Sequence, residues 1–210
     1  MSDEIVLYTN PMSRGRIARW MLEEIGQPYR AEILGYGPAM KGAGYTRLNP
    51  MGKVPTLTHG ETVVTECAAI CAYLADAFPD AGLAPRPGSR ERGPYYRWMF
   101  FAAGPTEAAV TNRSLGVEIP PEKAGFVGYG GFGAVMDVLE GAVTQGDYIL
   151  GDRFSAVDVY LGAQIGWGLQ FGSIEKRPAF ERYYARIAAR PAAIRADAID
   201  DALIAETKTP

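Results

Sequence analysis

Val54-Pro55-Thr56-Leu57-Thr58-His59-Gly60-Glu61-Thr62-Val63-Val64-Thr65 is the stretch that decides how this chain folds. Two short runs rich in β-branched residues, 54–58 and 62–65, flank His59-Gly60-Glu61, which is hairpin chemistry. Pro55 cannot donate to a sheet ladder, so it belongs at the opening of a strand. Directly after the hairpin, Cys67, Ile70, Cys71, Leu74 and Phe78 follow the i, i+3, i+4, i+7, i+11 spacing of one helix face. The stretch therefore reads β-β-α.

Upstream, Ile5, Val6, Leu7 and Tyr8 form a short apolar strand run that stops at the turn signal Asn10-Pro11. Ile17, Met21, Leu22 and Ile25 then share a helix face, with Gly26 as the stop. Residues 29–34 read as a second strand, and 35–44 as a glycine-rich irregular segment with at most one helical turn. The order is β-α-β, a break, then β-β-α.

Downstream, residues 79–87 carry Pro79, Pro85 and Pro87 without periodicity and read as a linker. All that follows reads as helical. Residues 90–112 form one segment that Gly104-Pro105 should kink or break. Residues 126–144 form another. Ser155-Ala156-Val157-Asp158 has capping-box form ahead of 159–171, and Gly162, Gly166 and Gly168 on that helix predict close packing. Pro178 and Pro191 stand at first helical positions. The expected domains are 1–80, a linker at 81–88, and an all-helical domain at 89–210.

The composition of the 210 residues is that of an ordinary globular chain, with 48% apolar and 21% charged residues. A net charge of −3 without a basic block gives no footprint for nucleic acid or an acidic membrane surface. No run of about 18 apolar residues predicts a membrane span, and the N-terminus lacks a basic, then apolar, leader. Cys67 and Cys71 are the only cysteines, one turn apart, which is no disulfide framework and, with His59 alone nearby, a poor metal set. The expectation is a cytoplasmic protein without a bound metal.

β-α-β followed by β-β-α, with an X-Pro ahead of the third strand, is the plan of the thioredoxin-like fold, and here an all-helical domain follows it. Leu48-Asn49-Pro50-Met51-Gly52-Lys53-Val54-Pro55-Thr56-Leu57 resembles the central signature of cytosolic glutathione transferases. Thr65-Glu66-Cys67-Ala68-Ala69-Ile70 with Tyr73-Leu74 resembles it too, and Gly151 through Ser155 to Asp158 resembles the family's helix-capping segment. The resemblance covers nearly the whole chain. It implies a dimeric enzyme that activates the thiol of glutathione, its cosubstrate, against an apolar electrophile, as in detoxification. It also leaves open a glutathione-dependent isomerase, lyase or peroxidase, and a non-catalytic glutathione-binding module, since fold alone does not decide chemistry.

The same resemblance implies site residues. In the serine-type classes the activating hydroxyl lies six positions after the first-strand leucine, which is Ser13 counted from Leu7. Ser13 is also well placed to be a plain helix cap; Thr9, Asn10 and Tyr8 compete for the donor role. The loop 10–14 has no cysteine, so the reactive sulfur must come from the cosubstrate. A cis bond before Pro55 would expose the backbone of Val54 to pair with the cysteinyl part of glutathione. Lys53 approaches the glycyl carboxylate or is a solvated surface residue. Glu66 meets the α-amino group, favours the helix start, or both. Cys67 stands where the family usually has a serine for the γ-glutamyl carboxylate, and a thiol is the weaker donor. In the aromatic run Tyr95, Tyr96, Trp98, Met99, Phe100 and Phe101, most side chains belong to core, with Trp98 and Phe101 the candidates for an apolar substrate pocket. Asn112, Arg113 and Trp167 are further pocket candidates, and His59 reads as a turn residue.

Overall fold

The computed structural model describes residues 3–208. By its internal contacts the chain divides into two units, Met1–Leu83 with Ala189–Pro210, and Ala84–Ala188.

The first unit is built on a four-stranded sheet. β1 (Ile5–Thr9) leads through α1 (Gly15–Ile25) to β2 (Arg30–Ile33), parallel to β1. Two single helical turns, α2 (Pro38–Lys41) and α3 (Ala43–Thr46), occupy the glycine-rich break. β3 (Thr56–His59) and β4 (Thr62–Thr65) then form the hairpin, and α4 (Cys67–Ala77) follows. The sheet order is β2-β1-β3-β4, with β3 antiparallel to both neighbours. The Val54–Pro55 bond is cis. Ile17, Met21 and Leu22 of α1 and Ile70, Cys71 and Leu74 of α4 are buried with Leu7 and Leu57 of the sheet, so the predicted apolar faces are the core. α1 ends at Gly26, whose φ of 68° lets its N–H return to the carbonyl of Leu22 at 3.1 Å.

The second unit is helical. α5 (Arg92–Phe101) and α6 (Glu107–Ser114) form one helical run, joined by a π-helical turn at Ala102–Thr106. The expected kink at Gly104-Pro105 is met by that wider turn, which absorbs the missing proline N–H without ending the helix. The expected helix over 126–144 starts later. Pro121–Phe126 is a short 3₁₀ segment, Gly130 takes φ of 68°, and α7 runs Phe132–Thr144. α8 (Ala156–Phe171) is the buried centre and α9 (Pro178–Ala188) packs along it. A Cβ on Gly166 would stand 2.1 Å from the Tyr184 ring, and one on Gly162 would stand 2.2 Å from Ile187 Cδ1, so these glycines set the spacing of the two helices. Asp158 accepts the N–H groups of Ile149 and Ser155, both at 2.9 Å, and the hydroxyls of Ser155 at 3.0 Å and Tyr183 at 2.9 Å.

The last helix, α10 (Pro191–Lys208), departs from the expected grouping of 89–210. It packs on α1 in the first unit. Ala192, Ala193 and Ala196 of α10 are buried, and beside them run charged pairs that hydrophobic periodicity does not show. Arg19 of α1 and Asp200 of α10 form a buried ion pair at 3.0 Å. Arg190 and Arg195 pair with Glu24 and Glu23 at 2.7 and 3.1 Å.

Candidate functional site

The strand register gathers three separate pieces of chain. Tyr8 at the end of β1 pairs with Thr56 at the start of β3, and Thr56 pairs with Thr65 at the end of β4. The residues that follow β1, precede β3 and follow β4 therefore emerge side by side. These are the loop 10–14, the segment 53–55, and Glu66-Cys67. α1 and α4 both begin here, and helix starts leave N–H groups without intrahelical partners, a natural seat for anions. A direct contact joins the two starts: the Cys67 thiol donates to the Arg14 carbonyl at 3.6 Å.

Ser13 is half-buried at the entrance to α1. Its hydroxyl donates to the Asn10 carbonyl at 2.7 Å and accepts the Gly15 N–H at 2.9 Å, so it caps the helix start as it stands. Of its competitors, Asn10 is buried and committed: its amide donates to the Leu34 carbonyl at 2.8 Å and its carbonyl oxygen accepts the Met12 N–H at 2.9 Å. Thr9 is fully buried, its hydroxyl facing Gly15, where a Cβ would lie 1.8 Å from it. Tyr8 is half-buried, with its ring tilted against that of Tyr45, centroids 5.8 Å apart. Ser13 is thus half-buried where Thr9 and Asn10 are buried, and Arg14 beside it is exposed.

The segment before β3 is tied down from behind. Buried Tyr45 donates to the Lys53 carbonyl at 2.5 Å and meets the Thr56 hydroxyl at 2.7 Å, and buried Asn49 donates to the Lys53 carbonyl at 2.9 Å. Burial pushes the Tyr45 phenol above its ordinary range. Val54 is half-buried, Pro55 is buried, and the Lys53 ammonium is exposed.

Glu66 precedes α4 with φ of 65°, the one non-glycine residue with positive φ among the described residues. Such a backbone costs about 1–3 kcal/mol and persists where its surroundings impose it, commonly at ligand sites. Its side chain is exposed. Cys67 and Cys71 are both buried thiols, and the Cys71 thiol is pushed up by its hydrogen bond to Cys67 and by burial. His59 closes β3, and its Nδ1 lies 2.9 Å from the Tyr73 hydroxyl, a fixed contact that a bare turn residue would lack.

Two family models match this chain, the glutathione S-transferase N-terminal domain over residues 12–77 and its C-terminal domain over 130–191. Glutathione S-transferase GstA of Escherichia coli O157:H7 is 30% identical over 170 residues, 79% of each chain. The chain belongs to the glutathione S-transferase family. A glutathione transferase of Methylococcus capsulatus shares 30% identity and a TM-score of 0.77, over 94% of this chain and 99% of that one. A sphingomonad glutathione S-transferase in complex with glutathione shares 27% identity and a TM-score of 0.75, over 93% and 98%.

In the helical unit of this transferase, Trp98 is buried, with its ring edge-on to Phe101 at 5.5 Å. Phe101 is half-buried, and Tyr96 and Phe100 are the exposed aromatics of the run, at 43% and 71%. Asn112 donates to the Tyr129 hydroxyl at 2.9 Å and Arg113 lies over the Phe132 ring at 4.1 Å, so both are engaged with the residues ahead of α7 and at its start. Trp167 is half-buried on α8.

Tyr45 and Arg16 had no role in the sequence reading and Asn49 entered only within the signature 48–57, yet Tyr45 and Asn49 hold the Lys53 carbonyl and Arg16 reaches the Pro11 carbonyl at 3.4 Å. Asn49-Pro50 was a legible turn signal; nothing in the sequence marked Tyr45 or Arg16. Among the described residues no helix is long and apolar enough to cross a membrane.

Proposed function

We propose that this transferase holds glutathione across the three adjoining segments of the first unit, with its thiol ionised by Ser13. The observation that carries the reading is the register that brings Ser13, Val54 and Glu66-Cys67 to one end of the sheet. The Val54 backbone would pair with the cysteinyl part, as an added strand does. Glu66 would meet the α-amino group, and the N–H of Cys67, first residue of α4, would meet the γ-glutamyl carboxylate. Lys53, with Pro55 fixing the strand start, would lie toward the glycyl carboxylate. A free thiol has a pKa near 8.5, so only a few per cent is thiolate at pH 7. Lowering it by about two units requires roughly 2.7 kcal/mol in favour of the anion. A hydroxyl donor at a helix start can supply that in a partly dry site.

The thiolate then attacks an apolar electrophile, forming a carbon–sulfur bond as the leaving group departs with its bonding pair or, in an addition, as the π pair shifts to the neighbouring atom and takes up a proton from solvent. Phe101, backed by the Trp98 ring, is the proposed apolar lining. The proposed role is detoxification in the cytoplasm. Two buried cysteines with no disulfide support a reducing compartment. Family membership supports a homodimer, with the first domain of one subunit packed on the helical domain of the other. A monomer mass by light scattering at micromolar concentration would overturn that assembly. Retention on immobilised glutathione, followed by turnover of a generic aryl halide, tests the activity. Retention without turnover would make the chain a glutathione binder and sink the transfer reading.

A further inference from the structure

We propose that Arg16 is a positioning residue that ties the Ser13 loop to α10, and that this tie holds the hydroxyl where it can serve the thiolate. The inference rests on the reading of Ser13 as the activating group.

Arg16 is the second residue of α1, and its side chain is only 20% exposed. Its Nη1 donates to Asp201 Oδ1 at 2.9 Å and reaches the Pro11 carbonyl at 3.4 Å, while Nη2 donates to Asp197 Oδ1 at 2.9 Å. Asp197 and Asp201 lie one turn apart on α10, so they form a fork that matches the flat guanidinium. Pro11 stands between Asn10, whose carbonyl takes the Ser13 proton, and Ser13 itself. The connection therefore runs from two carboxylates of α10, through one guanidinium, to the backbone of the catalytic loop. The rest of that loop is held from the sheet side, by Asn10 on Leu34 and by Tyr36 on the Met12 carbonyl at 3.0 Å.

Two arguments separate positioning from stability and from simple charge. First, both carboxylates are well exposed, at 59% and 68%, and such pairs contribute little to folding. The buried Arg19–Asp200 pair already fastens α10 to α1 one turn further on, so the fold does not need the fork. Second, the charge sign is wrong for tuning. One cation with Asp197 and Asp201 carries a net negative charge, and Asp200 adds to it while Arg19 offsets it. A negative cluster near a developing thiolate opposes it. What the cluster offers the reaction is geometry, and a misplacement of a fraction of an ångström is enough to weaken a hydroxyl–sulfur bond.

The test uses the full-length Asp197→Ala/Asp201→Ala variant, with Arg16→Lys as a second variant that keeps the charge but loses the fork. The readout is the ultraviolet thiolate absorbance of bound glutathione against pH, beside the pH profile of kcat/KM. Positioning predicts that the apparent thiol pKa rises by about half a unit or more in both variants, with turnover near pH 7 falling about threefold or more. KM for glutathione should move less than about twofold, because the other segments still hold the tripeptide. Removing two negative charges without disturbing the loop would lower the pKa, so a lowered or unchanged pKa in the double alanine variant overturns the proposal. A wild-type protein whose bound thiol keeps its free pKa, or a Ser13→Ala variant with the wild-type pKa, would sink the Ser13 reading first and this one with it.

Discussion

The Ser13 hydroxyl gives its only proton to the carbonyl of Asn10, at 2.7 Å. To donate to a sulfur anion it must turn that proton away, exchanging a neutral acceptor for a charged one. Bonds to charged groups are worth about 1.5–3 kcal/mol against about 1 kcal/mol for neutral ones, so the exchange favours the thiolate. Ser13→Ala should therefore raise the apparent pKa of bound glutathione by about one unit or more and slow turnover near pH 7 about tenfold. KM for glutathione should change little. It should also cost about 1 kcal/mol of stability, since the Gly15 N–H loses its acceptor. An unchanged pKa with a stability loss alone would leave Ser13 as a cap, with Thr9, Asn10 and Tyr8 next in line. Of these, Asn10 is already bound on both sides of its amide.

Gly15, the first residue of α1, lies close against Thr9 of β1. A methyl group there would stand 1.8 Å from Thr9 Oγ1 and 3.0 Å from Ser13 Oγ. Gly15→Ala must shift α1 or turn Thr9 aside, a strain of about 1–3 kcal/mol. Thermal unfolding should report a lower midpoint, and kcat should fall more than KM rises, because the shifted hydroxyl is Ser13. A variant as stable and active as wild type would show that α1 is free to slide.

Cys67 has its thiol on the Arg14 carbonyl, turned away from solvent. Cys67→Ser should keep kcat, and the stronger hydroxyl donor should lower KM for glutathione if it turns to the γ-glutamyl carboxylate. Complete loss of activity would instead mark the thiol as chemically required. In the native wild-type protein, a disulfide reagent such as Ellman's should modify Cys71 far more slowly than in denaturant, because burial and the Cys67 contact hold its thiol neutral. Fast labelling of both residues without denaturant would contradict the burial.

Asp158 collects four donors in a buried site of the helical unit. Asp158→Ala leaves them unpaired and should cost about 3 kcal/mol, read as a lower urea midpoint. Burial holds the Asp158 carboxyl above its ordinary value of 3.8 despite those bonds. A carboxyl raised in the folded state binds its proton more tightly there than in the unfolded chain. Its contribution therefore declines as pH rises from the ordinary value through the raised one, and is level above that. Asp158→Asn should flatten this part of the stability curve while lowering stability at neutral pH. A wild-type slope retained in the variant would assign the effect to other carboxyls.

The sheet and the adjoining segments were legible because each rests on a local signal. Ile5–Thr9, the 56–65 hairpin and the i, i+4 ladder from Cys67 to Leu74 each carry their own periodicity. Pro55 marked the opening of β3, whereas the proposal of Ser13 came from the family resemblance, counted from Leu7. Three things were not legible. The π turn at Ala102–Thr106 replaces a break because the flanking helices continue to pack, which proline chemistry alone does not report. The start of α7 moved to Phe132 because Gly130 and Gly131 outweigh the apolar residues before them. The partner of α10 was hidden because its charged contacts join Arg16, Arg19, Glu23 and Glu24 to acids and arginines about 165–185 positions away, and charge patterns do not announce pairings at that range.

The attachment of α10 to α1 has a consequence for the order in which the molecule is made. The ribosome delivers β1 and α1 before the helical unit, and Asp197, Asp200 and Asp201 after it. The unit begun at the N-terminus stays open through the synthesis of the whole helical unit, with the Arg19 guanidinium lacking its buried counter-charge. Helical units rich in local contacts close quickly, so the second unit can be finished before the first. A nascent chain stalled anywhere before residue 200 should be readily cut by protease within α1, while residues 84–188, once outside the exit tunnel, resist.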